Sequence, residues 1–189
     1  MSSPQASPPP AGLPPPAGLP PPSWLWGPFS QVGLWVAIAT MAIDQVHKWG
    51  MILLYKIELG QRIYVAPFMD WVFVLNKGIS YSLFSLDHMS GQLALAFFAA
   101  LVSAGMWVWL ARSGTSRLMG VSLGLIIGGA VSNAVDRLTL GGVADFFSLH
   151  IFGYYWYIFN IADVAIVAGV VGLLYDSLSA SRKGAANQG

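Results

Sequence analysis

Four long apolar stretches, each closing on a few polar residues, set the pattern of this chain. They run from about Trp26 to Trp49, Met89 to Leu110, Leu118 to Leu138 and Tyr155 to Tyr175. Each is near the length a bilayer requires of a helix, roughly 20 residues. The first is uncharged until Asp44, and the second carries no charge at all. The third gains charge only at Asp136 and Arg137, and the fourth holds Asp163 near its start. Between the first two, from Lys56 to Asp87, β-branched and aromatic residues alternate with polar ones, punctuated by Pro67 and Gly78. That stretch predicts short strands outside the hydrocarbon, packed over the helix ends.

The expected fold is therefore mainly α and integral to a membrane. It has four transmembrane helices and a small extracytoplasmic β region, about residues 56–87, between helices one and two. The membrane domain is expected over 24–178 and a flexible C-terminal tail over 179–189. Residues 1–23 stand apart, because AGLPPP occurs twice in succession and proline at that density makes neither helix nor sheet. An extended or disordered tail is expected there. It has no basic residues ahead of an apolar run, as a signal peptide would.

Composition agrees with a membrane. Of 189 residues, 56% are hydrophobic and only 9% charged, against about a quarter in soluble domains. A net charge of +1 argues against nucleic acid as a partner. With no cysteine, disulfides, thiolate metal sites and a cysteine nucleophile are excluded. Tryptophans and tyrosines, including Tyr154–Tyr157, fall at expected helix ends, where amphipathic rings settle at headgroup depth. Arg112, Arg117, Arg182 and Lys183 would share one side with the N-terminus, which predicts cytoplasmic termini.

The few polar residues carry the chemistry. Asp145 and Asp163 flank the aromatic stretch, and two carboxylates that converge share one proton and activate water. Asp44 and Lys48, four apart, can pair, either bracing a site, touching a polar substrate group, or simply closing a helix end. Asn133, Asp136 and Arg137 share a helix face, read as a packing cluster in which Arg137 braces Asp136. Asn160 and Asp163 repeat the device, and a lone intramembrane Asp could instead be an ion ligand or proton relay. Asn76 precedes Gly78, which can supply a turn with positive φ. His47, His88 and His150 are scattered singly and read as interfacial or satisfied side chains. Neither an HExxH zinc motif nor a GxSxG elbow occurs. Gly128-Gly129 fits close helix packing and Gly141-Gly142 a turn.

Four blocks in order resemble lipoprotein signal peptidase (signal peptidase II), a bacterial membrane aspartic peptidase family. They are AIDQVHKW with Asp44 and Lys48, LNKGISYSLFS with Asn76 and Gly78, GGAVSNAVDRLTLGGVADF, and FNIADVAI. The resemblance implies that Asp145 and Asp163 are the catalytic pair. It gives Asp44, Lys48, Asn76, Gly78, Asn133, Asp136, Arg137 and Asn160 supporting or substrate-binding roles. It implies a prolipoprotein substrate with a diacylglyceryl-modified cysteine, cut just before that cysteine. It further implies no metal or organic cofactor, membrane lipid as surroundings, a monomer, and a site near the extracytoplasmic face of the bacterial cytoplasmic (inner) membrane. Ser132 departs from the pattern, standing where the family usually has glycine, as do Tyr157, Ile158 and Val164. The rival reading is a small transporter or proton-relay protein, which would favour acids at mid-membrane and internal repeats. The acids here cluster at helix ends, and the proline-rich tail holds the one repeat found.

Overall fold

A computed structural model describes residues 24–78 and 88–186. The proline-rich tail and most of the block after Gly78 lie outside the described residues. Among the described residues there are four α-helices: α1 (Ser30–Trp49), α2 (Met89–Ser113), α3 (Arg117–Leu140) and α4 (Ile161–Ala186). The described residues also form four strands: β1 (Arg62–Ala66), β2 (Met69–Asn76), β3 (Val143–Ile151) and β4 (Tyr154–Phe159). A π-helical turn, Gly50–Leu54, extends α1.

The helix α3 is the hub, packed against α1, α2 and α4. It can be, because its glycines let backbones meet. A Cβ on Gly128 would lie 2.5 Å from the Ala37 carbonyl oxygen of α1, and one on Gly129 2.6 Å from the Ala162 carbonyl oxygen of α4. Ser116 caps the start of α3, its Oγ accepting from the Met119 N–H at 2.9 Å. At the other end Gly141, with φ +73°, turns the chain into β3.

Among the described residues three helices, α2, α3 and α4 over Ile161–Ser179, are long and apolar enough to cross a membrane. The outer faces of α2 and α4 are lined by exposed apolar residues such as Phe97, Phe98, Leu101, Val167 and Val171. Exposed apolar surface of that extent suits lipid, not water. The helix α1 falls short of this mark on composition, because Thr40, Asp44, Gln45, His47 and Lys48 interrupt it. Three of the four expected spans are thus supported.

The β region is larger than expected and is not confined to the α1–α2 connection. The strands form one antiparallel sheet in the order β1-β2-β3-β4, half of it from the α3–α4 connection. The expected start of the fourth helix at about Tyr155 is therefore corrected: Tyr154–Phe159 is a strand, and the helix begins at Ile161. A short aromatic run does not distinguish strand from helix, and pairing decides. Here Phe147 lies opposite Phe159, and Phe152-Gly153, both with positive φ, close the hairpin. Helix α4 also continues to Ala186, beyond the boundary expected at 178.

Ala144 and Phe146 point from β3 into a core with Met51 and Ile57, where the Phe146 ring stacks on Phe73. Successive residues alternate across a strand, so Asp145 faces the opposite way. On β2 an extra residue bulges between Trp71 and Val74, beside the point where Val74 pairs with Asp145. Arg62, Asp70, Ser148 and His150 link three strands. Arg62 Nη1 donates to Asp70 Oδ2 at 2.9 Å and to Ser148 Oγ at 3.0 Å, and His150 Nε2 lies 3.3 Å from Asp70 Oδ1. The Arg62 hydrogen bond holds the Asp70 carboxyl below the usual range, against the effect of burial.

Candidate active site

The sequence Asn160-Ile-Ala-Asp163 folds as a reciprocal helix cap. The Asp163 N–H donates to Asn160 Oδ1 at 2.9 Å, and the Asn160 N–H donates back to Asp163 Oδ2 at 3.2 Å. With its oxygen occupied, the Asn160 amide has only Nδ2 to offer. That nitrogen donates to Asp145 Oδ1 at 2.6 Å and to Asn133 Oδ1 at 3.2 Å. Two carboxylates from separate elements, β3 and α4, thus hydrogen-bond one residue, and Asn160 is fully buried.

The remaining bonds complete the arrangement. Asn76 Nδ2 donates to Asp145 Oδ2 at 3.2 Å, and Asn133 Nδ2 to Asp163 Oδ1 at 3.1 Å. Asn76 also accepts from the Gly78 N–H at 3.2 Å, an Asx turn. That turn is closed by the asparagine side chain.

Asp145 is only 2% exposed. Burial first, and then the charge of Asp163, push its carboxyl up to about 7, while the Asn160 and Asn76 hydrogen bonds pull the other way. A buried carboxyl beside a second one holds a proton near neutrality, the arrangement that acid–base chemistry on water needs.

Beneath the pair, Lys48 sits between Asp44 Oδ2 at 2.7 Å and Asp136 Oδ2 at 2.6 Å. The expected Arg137–Asp136 brace is corrected. Asp136 gives its oxygens to Lys48, Gln45 Nε2 at 2.8 Å and the Ala144 N–H at 3.1 Å. Arg137 Nη1 instead donates to the Asn133 carbonyl at 3.2 Å. Adjacent residues on a helix point in different directions, so neighbours in sequence seldom pair. Two participants went unread in the sequence. Gln45 bridges α1 to α3 through Asp136 and Ser132, and Ser132 Oγ donates to Asp44 at 2.7 Å. A serine in place of glycine beside Asn133 was the available signal for the second. Gln45 lies next to Asp44 and carries no charge to mark it.

Of the expected site residues, Asp44, Lys48, Asn76, Asn133, Asp136, Asp145, Asn160 and Asp163 form one connected hydrogen-bond network. Gly78 touches it through Asn76, and Arg137 through the Asn133 carbonyl. Two of the histidines have other partners: His47 stacks on Phe147 with ring centres 5.0 Å apart, and His150 belongs to the sheet network. Among the described residues, no three His, Cys, Asp or Glu side chains gather as a metal site. An apolar recess of about 390 Å³ opens beside Asp163, lined by Tyr157, Phe159, Val164, Val167 and Ala168.

A family profile described as signal peptidase (SPase) II matches residues 36–179. The lipoprotein signal peptidase of Methylobacterium sp. (strain 4-46) is 46% identical over 153 residues, covering 81% of this chain and 92% of that protein. The lipoprotein signal peptidase of Methylocella silvestris is 49% identical over 151 residues, covering 80% of this chain and 88% of that one. A solved structure described as a bacterial membrane enzyme superposes with a TM-score of 0.66 at 26% identity, covering 78% of this chain and 93% of its own. With the profile spanning both aspartates and most of the chain, and with apolar helices fit for a bacterial membrane, the chain belongs to the signal peptidase II family of peptidases.

Proposed function

We propose that this chain is an aspartic endopeptidase that removes the signal peptide from diacylglyceryl-modified prolipoproteins, cutting just before the lipidated cysteine. One observation carries the reading: Asp145 and Asp163, from separate elements, are tied to the same buried Asn160. The relatives named as lipoprotein signal peptidases supply the substrate class.

In the mechanism, one carboxylate of the pair is ionised and the other protonated, since two close carboxylates do not both ionise easily. The ionised member takes a proton from a water, whose oxygen attacks the scissile carbonyl carbon. The protonated member donates to the carbonyl oxygen, giving a neutral tetrahedral diol. Collapse breaks the C–N bond: the protonated member gives its proton to the leaving amine, and the ionised member takes one from a diol hydroxyl, whose oxygen becomes the carbonyl of the new carboxyl group. No covalent enzyme intermediate forms, and the proton count returns to its start. The pair acts as a unit, so the starting charge belongs to both.

The surroundings support a lipidated substrate. The recess beside Asp163 runs along Val164, Val167 and Ala168, one face of α4, with apolar walls suited to hydrocarbon. Helix α1 serves as the fourth span. Its polar residues Thr40, Asp44 and Lys48 are buried, while Trp35, Ile38, Ile43 and Val46 face outward. A helix so arranged hides its charges within the bundle and offers lipid an apolar surface. In this reading the protein is a monomer of the bacterial inner membrane with cytoplasmic termini. The sheet and the aspartates lie at the extracytoplasmic face, and residues 24–178 form the peptidase domain. Asp145→Asn and Asp163→Asn each abolish cleavage of a lipid-modified precursor while membrane insertion persists. Wild-type turnover by either variant refutes the pair.

A further inference from the structure

We infer that Lys48 is a positioning residue that holds both aspartates in register from below, and that it does not contact substrate. The inference rests on the proposed Asp145–Asp163 pair and names what fixes its geometry.

Lys48 Nζ has three acceptors: Asp44 Oδ2 at 2.7 Å, Asp136 Oδ2 at 2.6 Å and Asn133 Oδ1 at 3.0 Å. An ammonium group has three donors, so none is left for a substrate. The side chain is 1% exposed, which closes it to substrate sterically as well.

Each acceptor passes its hold to the pair. Asp44 Oδ1 accepts from the Ala162 N–H at 2.9 Å, one residue before Asp163. Asp136 Oδ2 accepts from the Ala144 N–H at 3.1 Å, one residue before Asp145. The two grips are equivalent: a carboxylate from a neighbouring helix holds the backbone just ahead of each aspartate. Without the ammonium between them, those two carboxylates would repel and both grips would loosen.

The third branch sets an amide. Asn133 Oδ1 accepts from Lys48 and from Asn160, so Nδ2 must face Asp163, as it does at 3.1 Å. With Lys48 gone, the amide loses the charge that turns its oxygen inward. An oxygen facing Asp163 would then set acceptor against acceptor. One cation therefore specifies the backbone ahead of Asp145, the backbone ahead of Asp163, and the donor to Asp163.

The test is Lys48→Met in the full-length protein, compared with wild type in one lipid environment, with two independent readouts. The first is steady-state cleavage of a lipid-modified precursor. A loss of the kind that misplaced reacting groups cause, about 100-fold, is expected in kcat, with KM within about threefold. The second is an infrared titration of the protonated carboxyl band assigned to Asp145 by its absence in Asp145→Asn. Asp145 is buried, raised by the charge of Asp163 on α4, and lowered by Lys48 of α1; Arg137 of α3 also interacts with it. Removing Lys48 therefore moves the midpoint up. Wild-type kcat in the folded variant, a raised KM with unchanged kcat, or an unmoved midpoint overturns the inference. If wild type cleaves no lipid-modified precursor, the proposed function falls, and the infrared midpoint still decides the role of Lys48. Should Lys48→Met fail to insert, Lys48→Met with Asp136→Asn removes a carboxylate stranded without counter-charge and carries the same two readouts.

Discussion

Replacing Asn160 by alanine removes the residue on which both aspartates converge. Three bonds made by its side chain vanish together: to Asp145 at 2.6 Å, to Asn133 at 3.2 Å, and from the Asp163 N–H at 2.9 Å. Loss of the helix cap costs about 1 kcal/mol. The bond to Asp145 is worth about 1.5–3 kcal/mol while that carboxyl is ionised, and the amide bond to Asn133 about 1 kcal/mol. These share one side chain and do not add simply, so the expected destabilisation is about 2–4 kcal/mol. With the pair no longer held to a common point, cleavage should fall about 100-fold. The pH dependence has a definite sign. The Asn160 hydrogen bond lowers the Asp145 pKa, which stands at about 7 chiefly because of burial. Its removal raises that pKa further, so the alkaline limb of the pH–rate profile moves to higher pH. The assay is cleavage of a lipid-modified precursor from pH 5 to pH 9, roughly the range that brackets a titration near neutrality, with thermal unfolding on the same preparation. A rate within twofold of wild type, or an alkaline limb shifted to lower pH, would refute the convergence argument.

Asp163→Asn takes away the neighbouring charge that helps raise Asp145. Its infrared midpoint should fall below about 7 yet stay above the ordinary 3.8, because burial remains. Stability should also depend on pH through Asp145. Its folded pKa exceeds the unfolded value, so its contribution is fully present below about 3.8 and is lost as pH rises through about 7. At neutral pH the loss is at most about 4 kcal/mol, and Asp145→Asn should flatten the stability profile across that window. Gly129→Ala drives a methyl to 2.6 Å from the Ala162 carbonyl oxygen. It should cost about 1–3 kcal/mol and displace Asp163, so both thermal stability and cleavage fall. Asp136→Asn keeps an acceptor for the Ala144 N–H but weakens the bond to Lys48. Its main effect should be lower stability, measured by thermal unfolding, with residual cleavage above that of Asp145→Asn.

The sequence alone determined where most of the helices lie and which polar residues they carry. Length and apolarity are additive along a chain, so α2 and α3 could be placed within a few residues. Charge is so scarce that each acid within an apolar stretch stood out, and spacings of three and four put Asn160 with Asp163 and Asp44 with Lys48. Tertiary structure decided the rest. Tyr154–Phe159 reads as an interfacial aromatic run until β3 pairs with it, since strand identity depends on hydrogen bonds to residues elsewhere in the chain. The partner of Asp136 proved to be Lys48, 88 positions away, and not the adjacent Arg137. Gln45 and Ser132 joined the site only through contacts between α1 and α3. Periodicity tells which residues share a face of one element. Which faces meet is fixed by how closely the backbones approach, here through the glycines of α3, and by which buried charges find counter-charges.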